Sequence, residues 1–313
     1  MYRTLSHDES SHLAAANDLW ERQLPVLQLQ RAISGGMQWK EAKGREYLIR
    51  HWNDRAAHKK KSTSLGVRSP DTERQFEEFQ AKRERFLSSA AIIMPTLERF
   101  ARISKTCRLP RLPAAETDIF RALGAHHLDR ELLVFSGEAL HVYGAILGLG
   151  FNDLEPADGE MTLYMTSPGL DVVQDGLVDV IAGAARGVEF DDGRFVLDRA
   201  AGRLTIVTYA TEELFSVLRK RAGNDADREE VIWEALQDEP RWAAVMGDDG
   251  LPVPMAAVPP KAFLLLALAL GRISADGSRD LAEAFAPEIT FYERDVEAFP
   301  ELEGLEEVGG PKA

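Results

Sequence analysis

Apolar positions along this chain change their period several times, and each change marks a new element. Leu19, Trp20, Leu24, Leu27 and Leu29 fall at roughly helical spacing and predict a helix over most of residues 1–35, ended by Gly35-Gly36. A two-residue texture follows. Met37-Gln38-Trp39-Lys40 and Tyr47-Leu48-Ile49-Arg50, with a turn at Lys43-Gly44 between them, predict a two-stranded hairpin. Ser62 to Leu65 predicts a third short strand. Ser69-Pro70-Asp71 is a helix start, with serine as cap, proline in the first helical position and acids in the first turn. The helix it opens carries Phe76, Phe79, Phe86, Ala90, Ile93, Leu97 and Phe100 at three- and four-residue steps and runs to about Ser104.

Leu109-Pro110-Arg111-Leu112-Pro113 breaks the pattern and reads as a boundary. Beyond it helices and strands alternate. A helix over about 115–125 precedes the apolar strand Leu132 to Phe135, and a turn at Ser136-Gly137 leads into a helix from Glu138 to Leu149. Met161 to Met165, Val188 to Phe190, Arg194 to Leu197 and Leu204 to Tyr209 read as strands. Helices are expected at about 211–221 and 227–237, two short strands around Gly247-Asp248-Asp249-Gly250, and helices again at about 260–271, 277–285 and 289–298. The expected class is α/β (α+β), a mixed sheet flanked by helices. Three parts are expected: an N-terminal helix, basic hairpin and long helix over 1–112, the α/β core over 113–300, and an acidic tail over 301–313.

Composition narrows the class. With 313 residues, 45% of them hydrophobic, the chain can bury a sizeable core. Cys107 is the single cysteine, which excludes an internal disulfide and a multi-cysteine metal cluster. The first residues lack a basic-then-apolar leader pattern, and the most apolar run, Ala262 to Leu270, is too short to span a bilayer. A soluble, cytoplasmic protein is expected. The net charge of −14 is unevenly placed: residues 1–115 sum to +8 and residues 116–313 to −22. Either the N-terminal part suits a polyanion or the two parts dock on each other.

Two stretches carry a family resemblance. One is GGMQWKEAKGREYLIR (35–50) followed by SLGVRSPDTE (64–73). The other is ELLVFSGEALHVYG (131–144), followed much later by VMGDDGLPVPM (245–255) and PPKAFLLLALAL (259–270). Together they resemble a bacterial family of nucleotidyltransferase-fold proteins, distantly similar to the nucleotidyltransferases of abortive-infection and toxin–antitoxin systems, across roughly residues 35–290. The resemblance implies a Gly-Ser or Gly-Thr turn into a helix whose N-terminus faces a triphosphate. It also implies an Asp-x-Asp pair on the next strand and a third carboxylate on a neighbouring one. Those acids hold two Mg²⁺ ions about 4 Å apart for in-line phosphoryl displacement.

Placed on this sequence, the turn is Ser136-Gly137, the nucleotide-binding candidate, with Glu138 in the first helical turn where phosphates would arrive. The acid pair falls at Glu160 and Thr162, or, one step earlier, at Asp158 and Glu160. Asp158 and Glu160 are therefore the catalytic and metal-ligand candidates. Arg203 to Tyr209, where the third carboxylate belongs, contains no acid, and Asp191, Asp192 and Asp198 read as turn and strand-end residues. The family's His-Lys pair is replaced by leucines after Phe263. The expectation is a degenerate member that binds nucleotide, nucleic acid or a partner. One alternative is an active Mg²⁺-dependent enzyme moving a nucleoside monophosphate from an NTP to RNA or a protein hydroxyl. Another is a sequence-tolerant DNA- or RNA-binding protein.

The hairpin supplies the nucleic-acid candidates. Lys40, Lys43, Arg45, Arg50, Lys59, Lys60 and Lys61 outnumber the acids around them, and Trp39, Tyr47 and Trp52 interleave. Basic and aromatic residues on a ribbon can lie in a groove or stack on unpaired bases. The same pattern also fits a solvated hairpin whose Trp39 and Tyr47 pack on the long helix. His126 and His127 are adjacent, face apart on a helix, and predict no shared metal.

Overall fold

A reciprocal cap starts the first helix. The computed structural model describes residues 2–54, 59–151, 160–165, 177–178, 180–181, 184, 188–191, 194–199, 202–223 and 225–304. A short strand β1 (Tyr2–Thr4) leads into α1 (His7–Ala32), where Ser6 Oγ accepts from the Glu9 amide at 3.3 Å and Glu9 Oε2 accepts from the Ser6 amide at 2.9 Å. Strands β2 (Gly36–Ala42), β3 (Arg45–Asp54) and β4 (Lys59–Val67) form an antiparallel sheet in that order. Lys43 and Gly44 join the first two with φ of 53° and 70°, the left-handed pair of a type I′ turn. Next comes α2 (Pro70–Thr106), with Ser69 as its cap and Pro70 at its first position, as the cap pattern predicts.

The rest of the chain builds a seven-stranded mixed sheet. Along the sequence run α3 (Ala114–Ala125), β5 (Leu132–Val134), α4 (Ala139–Leu147), β6 (Leu149–Phe151), β7 (Glu160–Met165), β8 (Val188–Asp191), β9 (Arg194–Arg199) and β10 (Gly202–Tyr209). Then follow α5 (Thr211–Ala222), α6 (Ala226–Leu236), β11 (Arg241–Met246), β12 (Pro252–Ala257), α7 (Pro260–Ala269), α8 (Ala275–Phe285) and α9 (Glu293–Ala298). The strand order is β11-β12-β5-β7-β10-β9-β8. β12 with β5 and β7 with β10 are parallel, and the other neighbours are antiparallel. The class is thus mixed α/β. The apolar run from Ala262 is the inner helix α7, buried along its length apart from Lys261. Among the described residues no helix is long and apolar enough to cross a membrane.

The N-terminal helices close one edge of this sheet. Leu13, Leu19 and Trp20 of α1 and Ile93, Leu97 and Phe100 of α2 share one buried cluster with Ala244 and Met246 of the edge strand β11. Asn17 Oδ1 accepts from the Ala244 amide at 2.7 Å, and β1 pairs antiparallel with β6. Packing therefore crosses the proline-rich stretch at 109–113. β1 and β6 are three residues each, below the length at which alternation can be read from sequence.

Candidate functional site

The turn after β5 is tied down by its own side chains. Ser136 is buried; its hydroxyl donates to Glu138 Oε2 and accepts from the Thr162 amide at 3.1 Å. The Phe135 amide donates to Thr162 O at 3.1 Å, so the turn is stitched to β7. Glu138 is turned inward rather than toward solvent, and burial pushes its carboxyl above the usual carboxylate range, against the opposing pull of the Ser136 hydrogen bond. Gly137 lines a small cavity of about 50 Å³ with Leu13, Leu140, His141 and Met246. Burial depresses the His141 imidazole to about 4, so it stays neutral there.

One face of the central strands carries the remaining polar groups. β7 and β10 run parallel with Glu160 beside Thr205, Thr162 beside Val207 and Tyr164 beside Tyr209. Alternating residues share a face, so Glu160, Thr162 and Tyr164 stand together with Thr205, Val207 and Tyr209. Arg194 of β9 pairs with Val207 and extends the same row. The Tyr164 hydroxyl meets Thr211 Oγ1 at 3.0 Å.

Into this face comes a cation from the far end of the sequence. Arg272 Nη2 donates to Glu160 Oε1 at 3.1 Å and to Thr162 Oγ1 at 3.0 Å, and the guanidinium lies 5.5 Å from the Phe135 ring centroid. Its backbone is fixed by a Schellman-type end to α7: the Arg272 amide donates to Ala267 O at 2.8 Å and the Gly271 amide to Leu268 O at 2.9 Å. Gly271 adopts φ of 65°, a left-handed conformation that glycine takes without steric cost. Burial lowers the Arg272 pKa, and the Glu160 charge partly restores it. Tyr209 is pushed up by burial first and by Glu160 second, while Arg194, Arg221 and Arg272 pull it down.

A pair of Mg²⁺ ions does not fit these residues. The carboxylate that would bind it is bonded to a guanidinium, and the neighbouring positions hold threonine and valine, poor partners for a hard dication. Asp158 lies outside the described residues, as does Asp192. Asp198 on β9 and Asp191 on β8 stand two and three strands from β7. Among the described residues no three His, Cys, Asp or Glu side chains gather to hold a metal ion. Comparison with protein families, with characterised proteins and with solved structures finds no match to this chain.

The basic sheet splits its candidates between two faces. Trp39 lies on the helix side, its ring 5.8 Å from Phe76 of α2 and covered by the Arg68 guanidinium at 5.2 Å. Leu48, its cross-strand neighbour, is fully buried there. Register puts Arg50, Trp52 and Lys61 on that same side of the sheet. Lys40, Arg45, Tyr47, Ile49, His51 and Lys60 take the opposite, outer side. Lys43 occupies the turn, and Lys59 stands in register with Asp54 at the far end of the sheet.

Sequence reading missed Arg272 altogether. Its only local signal is a lone arginine ending an apolar helix, and its partners lie 110 and 112 residues away. Tyr164 and Tyr209 were legible as strand residues but not as members of one face.

Proposed function

We propose that this chain is a nucleotidyltransferase-fold protein that binds nucleotide at the Glu160 face and does not transfer it. What supports the fold part of the reading is the arrangement β5, glycine turn, α4, antiparallel β7 and parallel β10, which puts the Ser136-Gly137 turn and Glu160 on neighbouring strands. One observation carries the functional part: Arg272 bonds the Glu160 carboxylate and the threonine beside it. A transferase of this kind needs charged oxygens on two metals to polarise the attacking and leaving groups. A guanidinium in that position supplies charge but cannot generate a metal-bound nucleophile. Labelled NTPs offered with Mg²⁺ and bulk RNA, or with the protein alone, are expected to give no covalent transfer of the nucleoside monophosphate. Transfer that disappears in Glu160→Gln would establish an active enzyme and overturn the reading.

A second activity is favoured by the outer face of the basic sheet. Val67 is 40% exposed and sits in register with Tyr47 and Lys40, so apolar, aromatic and basic groups share one uncovered row. That composition suits unpaired nucleic acid, through stacking and phosphate contacts. Combined alanine replacement of Lys40, Arg45 and Lys60 is expected to reduce the salt slope of single-strand binding by about 2–3, one phosphate contact per side chain. Arg50→Ala, on the helix side, should leave it near the wild-type value. Equal losses from both variants in an electrophoretic shift assay would mean that the outer face has no special part.

A further inference from the structure

Over its second half, α2 is packed on one side. Ile93, Leu97 and Phe100 are buried against α1 and the edge strand β11. On the opposite side Leu87 is 56% exposed, Ile92 73% and Met94 47%, and Ala91 and Pro95 are exposed among them. Successive helical residues turn by about 100°, so these five positions form one continuous stripe. Single apolar residues on a surface are ordinary, but a contiguous patch marks a contact made with something else. The Ser88 hydroxyl beside the stripe is already bonded to Glu84 O at 2.9 Å, so it brings no unmet donor to such a contact.

The charges that frame the stripe say what that something is. Glu84 and Arg85 precede it, and Glu98 and Arg99 follow it. All four are exposed and none makes an ion pair among the described residues, whereas Asp71 and Glu73 in the first turn of the same helix both do. Their order is self-complementary. In two antiparallel copies, a two-fold axis between Ala91 and Ile92 sets Ala91 against Ile92, Ser88 against Pro95, Glu84 against Arg99 and Arg85 against Glu98. Sliding one helix by a single residue brings Glu84 to Glu98 or Arg85 to Arg99. A parallel pair in register sets every charge against its own kind.

We propose that α2 pairs with α2 of a second copy of this chain, antiparallel and two-fold, centred between Ala91 and Ile92. Ala91 at the axis lets the two backbones approach, and Leu87, Ile92 and Met94 lose water on either side of it. The buried sides of both helices point away from the contact, so each chain's own packing is left intact. The Pro70 ends, beside which the basic sheets pack, come to lie roughly 65 Å apart along the pair.

Sedimentation equilibrium on the full chain, from about 1 to 100 μM, tests this, because one helix on one helix is a small interface and micromolar dissociation is expected. The mass should move from one chain toward two across that range. Ile92→Glu puts a carboxylate from each copy at the axis and should leave a monomer throughout. The side chain is exposed, so an unchanged far-ultraviolet dichroism spectrum is expected with it. Glu84→Arg sets like charges together at both ends of the pair and should weaken association about fivefold or more. Adding Arg99→Glu to the same chain reverses both partners and should return the dissociation constant to near the wild-type value. One chain mass at every concentration overturns the proposal and leaves the stripe to a partner of different sequence. A dimer indifferent to Ile92→Glu, or a double reversal that fails to rescue the single one, overturns it as well.

Discussion

Phe285→Ala is expected to destabilise the protein by about 3–5 kcal/mol, the range for a large aromatic removed from a well-packed core. The ring is fully buried at the end of α8. It lies edge-on to Tyr143 at 4.9 Å between centroids, and 6.2 and 6.3 Å from Phe151 and Phe263. Those rings belong to three different elements: Tyr143 to α4, Phe151 to β6 and Phe263 to α7. The Tyr143 hydroxyl, at the centre of the group, donates to Val258 O at 2.6 Å and holds α4 to the end of β12. Removing Phe285 leaves a cavity bordered by rings that cannot easily collapse, because each is pinned by another partner. Its effect should also reach the candidate site. The Ser136-Gly137 turn leads into α4 and Arg272 lies in the turn that closes α7, so loosening one helix against the other displaces the guanidinium from Glu160. Denaturant unfolding measures the loss. A change below about 1 kcal/mol, the typical cost of an ordinary substitution, would mean that the aromatic group does not bear on the fold as described.

Much of the fold was legible because local chemistry decides it. The Ser69-Pro70 start of α2, the Lys43-Gly44 turn and the apolar α7 each follow from a rule acting within a few residues. Strand order was not legible. β5 pairs with β12 from more than a hundred residues downstream, and no periodicity encodes which strand will be its neighbour. The site divides in the same way. The turn at Ser136-Gly137 and the strand that carries Glu160 could be located in the sequence, as could the absence of an acid from Thr205, Ile206 and Val207. What pairs with Glu160 could not be read, since Arg272 reaches it only through the turn that ends α7. Glu138 failed differently: its sequence position suggested a side chain facing ligand, and the serine two residues earlier draws it inward.

Trp20→Ala is expected to cost about 3–5 kcal/mol as well, and to do so in a single unfolding transition. Trp20 is 2% exposed on α1, within the cluster that joins both N-terminal helices to the edge strand β11. Its indole leaves no spare room against α3. A Cβ built at Gly124 would lie 2.6 Å from Trp20 Cζ2 and 2.3 Å from Pro254 Cγ, closer than real side chains approach. Only glycine permits α1, α3 and β12 to meet at that spacing. The division of the chain at the proline-rich boundary makes the opposite forecast. If residues 1–112 folded as a separate unit, loss of Trp20 would melt that unit early and leave the transition of the large sheet where it is. Far-ultraviolet dichroism, which follows the helices, and the fluorescence of Trp242, followed in a background with Trp39, Trp52 and Trp233 replaced by phenylalanine, separate these outcomes. Coincident transitions, both shifted, mean that α1 is part of the core. Two transitions with the second unmoved would mean that the N-terminal cluster is only an apposed surface, and would free the basic sheet and α2 to act as an arm.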